Sequence, residues 1–207
     1  YPEVPAVFID TGLEYPEIVQ FAKSVDNVIE IRPEMSFKQV IEKYGYPVIS
    51  KEQASYIEEY RNTKSEKLRD IRLNGNKSGR GKISKKWLYL IDAPFKISAK
   101  CCDILKKKPA TKFEKEMGLH PIIGNLASES AKRVQDYLKF GCNAFEAKRP
   151  ISRPLGFWTD EDIWNYIRQY KIPYSKIYDM GYDRTGCMFC MFGCHLEKEP
   201  NRFQRMK

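Results

Sequence analysis

The chain has 207 residues, of which 42% are hydrophobic and 30% are charged. This composition argues against a disordered protein. The sequence has no apolar run of about 18 residues, so we do not expect a membrane-spanning protein. We expect one ordinary soluble domain. The formal net charge of +9 indicates an anionic partner, which could be a nucleotide, a sulfate or phosphate ester, or a nucleic acid.

Six cysteines occur in a sequence whose first residues carry no charged and apolar export signal. In a reducing compartment, clustered thiols more often hold a metal or carry out redox chemistry than form disulfides. We therefore expect a cytoplasmic protein with a thiol-based site.

Strand and helix patterns alternate along the first part of the chain. They predict strands over residues 6–9 and 28–31 and helices over residues 14–25 and 37–44. This βαβα order predicts an α/β fold with a parallel sheet and helices on its faces. Asp10, Thr11 and Gly12 follow the first strand, at the edge of such a sheet where ligands bind.

The middle of the chain is polar and basic. Ser50 and Gln53 form a capping-box pattern that predicts one long helix through residue 72. A basic glycine-rich loop follows over residues 74–82. It has five residues between Gly75 and Gly81 where a P-loop has four, so we interpret it as a flexible surface loop.

The second half continues the mixed pattern. Ser98 predicts the start of a helix that holds Cys101 and Cys102 in its first turn and ends before Pro109. The patterns then predict a strand over residues 121–126 and helices over residues 129–140 and 159–170. We predict an α/β domain over residues 1–170 and a cysteine-rich segment over residues 171–207 that packs on it.

The cysteines predict a metal centre. Cys187 and Cys190 form a C-x-x-C pair, whose short loop lets two sulfurs converge on one centre. Cys101 and Cys102, beside Lys100 at a helix start, are expected to have the low thiol pKa that metal binding requires. Zinc would use the same ligands, but two adjacent cysteines do not easily bind one small ion together. An iron–sulfur cluster offers each of the two cysteines a separate iron atom.

A fifth cysteine lies close to the C-x-x-C pair. Cys194 is followed by His195, and from the residues alone it could be a ligand, a reactive thiol or a packing residue.

Four patches resemble one family. Residues 8–17, Phe-Ile-Asp-Thr-Gly-Leu-Glu-Tyr-Pro-Glu, are similar to a strand-and-turn motif of phosphoadenosine phosphosulfate (PAPS) and adenosine phosphosulfate (APS) reductases. Residues 121–133 resemble the substrate-anion segment of that family, and residues 153–164 resemble its late signature. The cysteine pairs resemble the ligands of the cluster in its APS-using members. Residues 184–193 most resemble a prokaryotic and phage-encoded branch.

The resemblance implies a Rossmann-like, doubly wound fold of the adenine nucleotide alpha hydrolase type. It implies a [4Fe-4S] cluster, with zinc as the alternative, on Cys101, Cys102, Cys187 and Cys190. The candidate residues for the substrate anion are Asp10, Thr11, Gly12, Gly124, Ser128, Ser130, Arg133 and Arg153. Ser128 and Ser130 could equally be helix caps.

The sequence departs from the family in two places. The family's glycine-rich pyrophosphate loop should precede the first strand and is not contained here, so we expect either a longer chain or another mode of nucleotide binding. The family's nucleophilic cysteine lies in a Glu-Cys-Gly motif, to which only Gly193-Cys194-His195 has some similarity. Cys194 is therefore the candidate nucleophile.

Three functions follow as hypotheses. The first is reduction of PAPS or APS to sulfite, with electrons from a thioredoxin-like donor. The second is an ATP-dependent iron–sulfur enzyme that transfers sulfur to a nucleic acid. The third is a zinc-stapled nucleic-acid-binding module without catalysis. A homo-oligomer is compatible with each of them.

Overall fold

The computed structural model describes residues 3–183 and 185–205, so Arg184 of the phage-type resemblance lies outside the described residues. Its strands are β1 (Ala6–Ile9), β2 (Val28–Ile31), β3 (Asn143–Ala144) and β4 (Ile151–Ser152). Its α-helices are α1 (Pro16–Ser24), α2 (Phe37–Tyr44), α3 (Lys51–Asn62), α4 (Glu66–Asn74), α5 (Lys108–Met117), α6 (Ala131–Phe140), α7 (Asp160–Tyr170) and α8 (Arg202–Arg205). Within these ranges no helix combines the length and hydropathy needed to cross a membrane.

The N-terminal strands confirm the α/β prediction. β1 and β2 pair in parallel, with Ala6 opposite Val28 and Ile9 opposite Ile31, and α1 connects them. This βαβ unit is the building block of a Rossmann-like fold. It places the residues after β1 at the carboxyl edge of the parallel pair.

The chain divides into two compact units. The first consists of Tyr1–Ala110 and Lys176–Lys207, and the second of Thr111–Ser175. Most of the predicted cysteine-rich segment thus belongs to the same unit as β1 and β2.

The predicted single helix over residues 50–72 is wrong. α3 ends at Asn62, and Ser65 begins α4 by accepting a hydrogen bond from the Leu68 amide. The break lets α4 fold back on α3, where the Arg72 guanidinium donates to the Glu59 carboxylate at 2.7 Å. Tertiary pairing therefore overrides a continuous helical pattern.

The predicted helix end before Pro109 is also wrong. Residues 101 and 102 begin a helix that widens into a π-helical segment over Asp103–Lys107 and continues as α5. Proline has no amide hydrogen and its ring clashes with the carbonyl one turn earlier. The wider π turn directly before Pro109 accommodates both defects, so the helix does not end there.

In the second unit, the predicted strand over residues 121–126 is wrong, because only Ile122 forms an isolated bridge, with Ser152. The following helix starts two residues later than predicted, as α6, with Ser130 as its N-cap. The helix predicted over residues 159–170 is confirmed as α7.

Two apolar clusters form the core of the first unit. One is centred on Ile57, Ile83 and Ile97. The other contains the buried residues Leu13, Val40, Cys101, Ile104 and Leu105, with Cys187 packed against it. The second cluster thus joins the turn after β1 to two of the candidate ligand cysteines.

Candidate metal centre and adjoining cavity

The structure brings the four candidate ligand cysteines together in the first unit. All six cysteines are free thiols, and Cys142 alone belongs to the second unit. Cys187 packs against the core cluster that contains Cys101. Cys102, Cys187 and Cys190 all raise the pKa of the Cys101 thiol. Thiols far apart in sequence are therefore neighbours in the fold.

Cys101 is a buried, neutral thiol, with 7% of its surface exposed. Burial, followed by repulsion from the three neighbouring cysteines, raises the pKa of Cys101 to about 12. The expected low pKa is therefore wrong for this residue. Lys100 does not counteract the burial, because its ammonium pairs with the Glu58 carboxylate at 2.7 Å. Metal cations would have to displace the proton from this thiol.

Lys106 connects the cysteines to the turn after β1. Its ammonium lies 3.4 Å from Glu14 Oε1 and hydrogen-bonds the Cys187 sulfur. Burial opposes the charge of Lys106, but the Cys187 thiolate and the Glu14 carboxylate outweigh burial and raise the pKa of Lys106. For Cys187, burial dominates and raises the thiol pKa, although Lys106 acts in the opposite direction.

The turn after β1 is fixed by its own hydrogen bonds. The Thr11 amide and hydroxyl both donate to the Glu14 carboxylate, and the Gly12 amide donates to Asp10. Leu13 in turn accepts a 2.7 Å hydrogen bond from the Met188 amide, inside the C-x-x-C loop. The sheet edge and the cysteine loop are therefore locked to one another.

These contacts involve the polar groups predicted to bind the substrate at this edge. The Asp10 carboxylate also pairs with Arg32 at 2.8 Å, and Thr11 is buried. In this structure both side chains have intramolecular partners.

In the described part of the chain, no three His, Cys, Asp or Glu side chains are placed to hold one metal ion. The four thiols provide the ligand chemistry of an iron–sulfur cluster, in which each sulfur binds a separate iron atom. A single zinc ion would require the four sulfurs to converge on one point.

A cavity of about 670 Å³ adjoins Cys187 and Cys190. Its lining includes the aromatic rings of Tyr15 and Tyr182 and the cationic side chains Lys198, Arg202 and Arg205. The lining also contains Asp183 and Glu197, so three cations face two carboxylates. A cavity with aromatic rings and an excess of cations beside two thiols is suited to an anionic ligand that carries a ring.

Two arginines that the sequence analysis missed shape this cavity. Arg202 donates to the Cys190 carbonyl at 3.1 Å and to the Glu197 carboxylate at 2.6 Å. Arg205 lies over the Tyr182 ring, 5.5 Å from its centre, and 3.8 Å from Glu197. The sequence signal was the spacing of two arginines one helical turn apart after the cysteines.

Cys194 occupies a different position from the ligand cysteines. It begins a short 3₁₀ helix (Cys194–Leu196), and the cavity is lined by Gly193 but not by Cys194. The His195 ring packs edge-on against Trp87, with ring centres 5.3 Å apart.

The remaining predicted anion-binding residues belong to the second unit. Ser130 caps α6 by accepting from the Arg133 amide, and Ser128 lies in the preceding 3₁₀ turn (Ala127–Glu129). The Arg133 guanidinium forms an ion pair with the Glu129 carboxylate. Arg153 has a buried Nη1 without a hydrogen-bond partner in the described ranges, which is a vacant donor for an anion. Gly124 lies in the loop before this turn.

Comparison with known proteins identifies relatives. A profile of the phosphoadenosine phosphosulfate reductase domain matches residues 50–192. Adenosine 5'-phosphosulfate reductase of Geobacillus kaustophilus is 24% identical in an alignment of 192 residues that covers 91% of this chain. An uncharacterised protein of Methanocaldococcus jannaschii is 25% identical in an alignment of 196 residues that also covers 91% of this chain. The chain spans 63% and 31% of the lengths of these two relatives.

Among solved structures, the phosphate complex of phosphoadenylyl-sulfate reductase from Candida auris is similar to this chain. The match has a TM-score of 0.47 and 16% identity, and it covers 89% of this chain and 69% of the other.

Proposed function

Because this chain belongs to the phosphoadenosine phosphosulfate reductase family, we propose that it is an iron–sulfur enzyme that reduces an adenylyl-sulfate nucleotide, PAPS or APS, to sulfite. The observation that carries this proposal is that two of the four candidate ligand cysteines, Cys187 and Cys190, line a cavity together with the cationic side chains Arg202 and Arg205. Family membership supports an oxidoreductase, and the cavity supports an anionic substrate.

The cofactor in this proposal is a [4Fe-4S] cluster on Cys101, Cys102, Cys187 and Cys190. The all-thiol donor set supports a cluster, and the adjacent pair Cys101 and Cys102 suits separate iron atoms better than a single zinc ion. When bound, the cluster would supply iron atoms that hold the four cysteines as thiolates. The cation at this site would come from Lys106, which acts on Cys187.

The chain's own residues position the substrate. The guanidinium of Arg205, stacked on Tyr182, would hold the sulfonate or phosphate through charge-assisted hydrogen bonds. Arg202 is hydrogen-bonded to the Glu197 carboxylate and to the Cys190 carbonyl. It would therefore hold the cavity wall that contains Arg202 at a fixed distance from the loop of Cys187 and Cys190. In the second unit, the buried Nη1 of Arg153 is a further candidate anion donor.

The reduction needs a nucleophile and two electrons. In the proposed reaction a cysteine thiolate, with Cys194 as candidate, attacks the sulfonate sulfur and the adenine nucleotide leaves. A thioredoxin-like dithiol then cleaves the S-sulfonate, releases sulfite and becomes a disulfide. Cys194 lies outside the cavity lining, so its role is the first to be tested.

The test uses the full-length protein purified without oxygen. We expect iron and acid-labile sulfide in equal amounts, a brown colour, and sulfite release from PAPS or APS only when a thioredoxin system is present. Cys187→Ala should remove the iron, whereas Cys194→Ser should retain iron and lose turnover. Cys142→Ser, in the second unit, is the control that should retain both.

Two results would overturn the proposal. Zinc without iron would favour the zinc-stapled binding module. A cluster-loaded protein that binds neither nucleotide and releases no sulfite would exclude the reductase activity. Sulfur incorporation into nucleic acid in the presence of ATP would instead identify the sulfur-transfer enzyme.

A further inference from the structure

A strip of basic and aromatic side chains lies on the first unit, apart from the cysteine site. Its members are Lys77, Arg80, Lys82, Lys85, Lys86, Trp87 and Tyr89, and we call them the basic strip. The sequence has no acidic residue between Asp70 and Asp92. All five cations are exposed, and none has a carboxylate partner within the described residues. Their charge is therefore available to an external anion.

The loop that carries three of these cations is ordered by hydrogen bonds. The Asn76 side-chain oxygen accepts from the Ser78 amide and hydroxyl and from the Arg80 amide. Arg72 donates to the Gly81 carbonyl and is itself held by Glu59. The loop is thus a closed turn whose three cations are exposed.

The aromatic part of the strip lies on a rigid element. The 3₁₀ helix Lys85–Asp92 buries Leu90 in the core, and Arg61 donates to its Ile91 and Leu90 carbonyls at 2.7 and 2.9 Å. Tyr89 faces away from the core with 66% of its surface exposed. The anchored helix therefore holds the Tyr89 ring at a defined position in contact with solvent.

The aromatic rings and the cations are interleaved. Lys86 Nζ lies 5.0 Å from the centre of the Trp87 ring, and the Trp87 and Tyr89 ring centres are 6.3 Å apart. Trp87 also contacts His195, the neighbour of Cys194. The aromatic end of the strip therefore contacts the segment that holds the candidate nucleophile.

We propose that the basic strip binds a single-stranded nucleic acid. Unpaired lysines and arginines neutralise phosphates, and an exposed ring stacks on a base that is free of a duplex. A double helix would use the cations but leave the Tyr89 ring without a base, because its bases are already stacked. This binding goes beyond the proposed reductase activity and does not depend on it.

The test is fluorescence anisotropy with labelled single-stranded RNA and DNA and the matching duplexes, using the full-length protein purified without oxygen. We expect single strands to bind more tightly than duplexes. Tyr89→Ala should weaken single-strand binding by about tenfold without changing the salt dependence, since stacking is not ionic, and Tyr89→Phe should restore it. A Lys85→Ala and Lys86→Ala double variant should reduce the slope of log affinity against log salt by about 1.4, because each single-strand phosphate contact contributes about 0.7.

The matched control removes two exposed lysines of the second unit, Lys132→Ala and Lys148→Ala. This variant has the same net charge as the double variant of the strip and should bind like the wild type. The proposal is overturned if the two double variants weaken binding equally, if duplexes bind at least as tightly as single strands, or if only anionic lipid vesicles bind. RNA and DNA single strands each support it, and the tighter one identifies the natural class.

Discussion

Lys106 lies between Glu14 and Cys187, with its ammonium 3.4 Å from Glu14 Oε1 and hydrogen-bonded to the Cys187 sulfur. Glu14 in turn holds the Thr11 amide at 2.9 Å. One cation thus joins the edge of the parallel strands to the cysteine site. It neutralises a carboxylate that is only 8% exposed.

We predict that Lys106→Met destabilises the metal-free protein. The buried Glu14 carboxylate would lose its cation, and a lost hydrogen bond to a charged group costs about 1.5–3 kcal/mol. Urea unfolding measures the change. Lys107→Met is the control, since its surface pair with Asp103 is solvent-exposed on both sides and such pairs contribute about 0–1 kcal/mol. Equal losses for the two variants would contradict the role of Lys106.

Cys101 makes the stability of the metal-free protein depend on pH. Its folded-state pKa, about 12, is above its ordinary value of 9.0. Between these values the unfolded chain releases the proton and the folded chain retains it, so this contribution to stability is complete below pH 9 and is lost as the pH rises. The loss should be about 1.4 kcal/mol per pH unit.

Unfolding free energies measured from neutral pH to above pH 10 test this slope. Cys101→Ala should remove the alkaline decline that this thiol causes. Val40→Ala, in the same core cluster, should lower stability at every pH and keep the decline. An unchanged slope in Cys101→Ala would show that this thiol is not the source.

We predict that Arg205 contributes to anion binding but little to the stability of the fold. Its side chain is 42% exposed and lines the cavity, so Arg205→Ala should weaken binding of APS or sulfate by about tenfold, the cost of one charge-assisted hydrogen bond. Its thermal stability should change little. Calorimetric titration measures the affinity, and Arg69→Ala, an exposed cation outside the cavity lining, should bind as the wild type does.

Gly45 lies where the backbone of Lys96 comes too close for any side chain. Its φ is +113°, and a Cβ atom there would lie 2.5 Å from the carbonyl carbon of Lys96. Gly45→Ala should therefore cost about 3 kcal/mol or more, through strain and displaced backbone. At Gly79, with φ +72° and no atom within 4 Å of the added Cβ, alanine should cost only about 1–2 kcal/mol. Thermal unfolding of both variants distinguishes these effects.

The local patterns were sufficient for several elements. The β1 and β2 strands, the α2 helix and the capping box of Thr159 and Asp162 were predicted correctly, because each depends on residues close in sequence. The break between α3 and α4 was missed, since it depends on the Glu59–Arg72 pair that forms only when the helices fold back. The helix through Pro109 was missed because a π turn is not visible in apolar spacing.

For the site, the sequence determined which residues carry the chemistry: four cysteines in two pairs, a basic balance, and the motifs of the reductase family. Only the tertiary structure decided how they act together. It buried Cys101, so that its thiol pKa rises, and it placed Lys106 between Glu14 and Cys187. Ionisation and pairing depend on distance and solvent exposure, which arise from contacts between residues far apart in the chain.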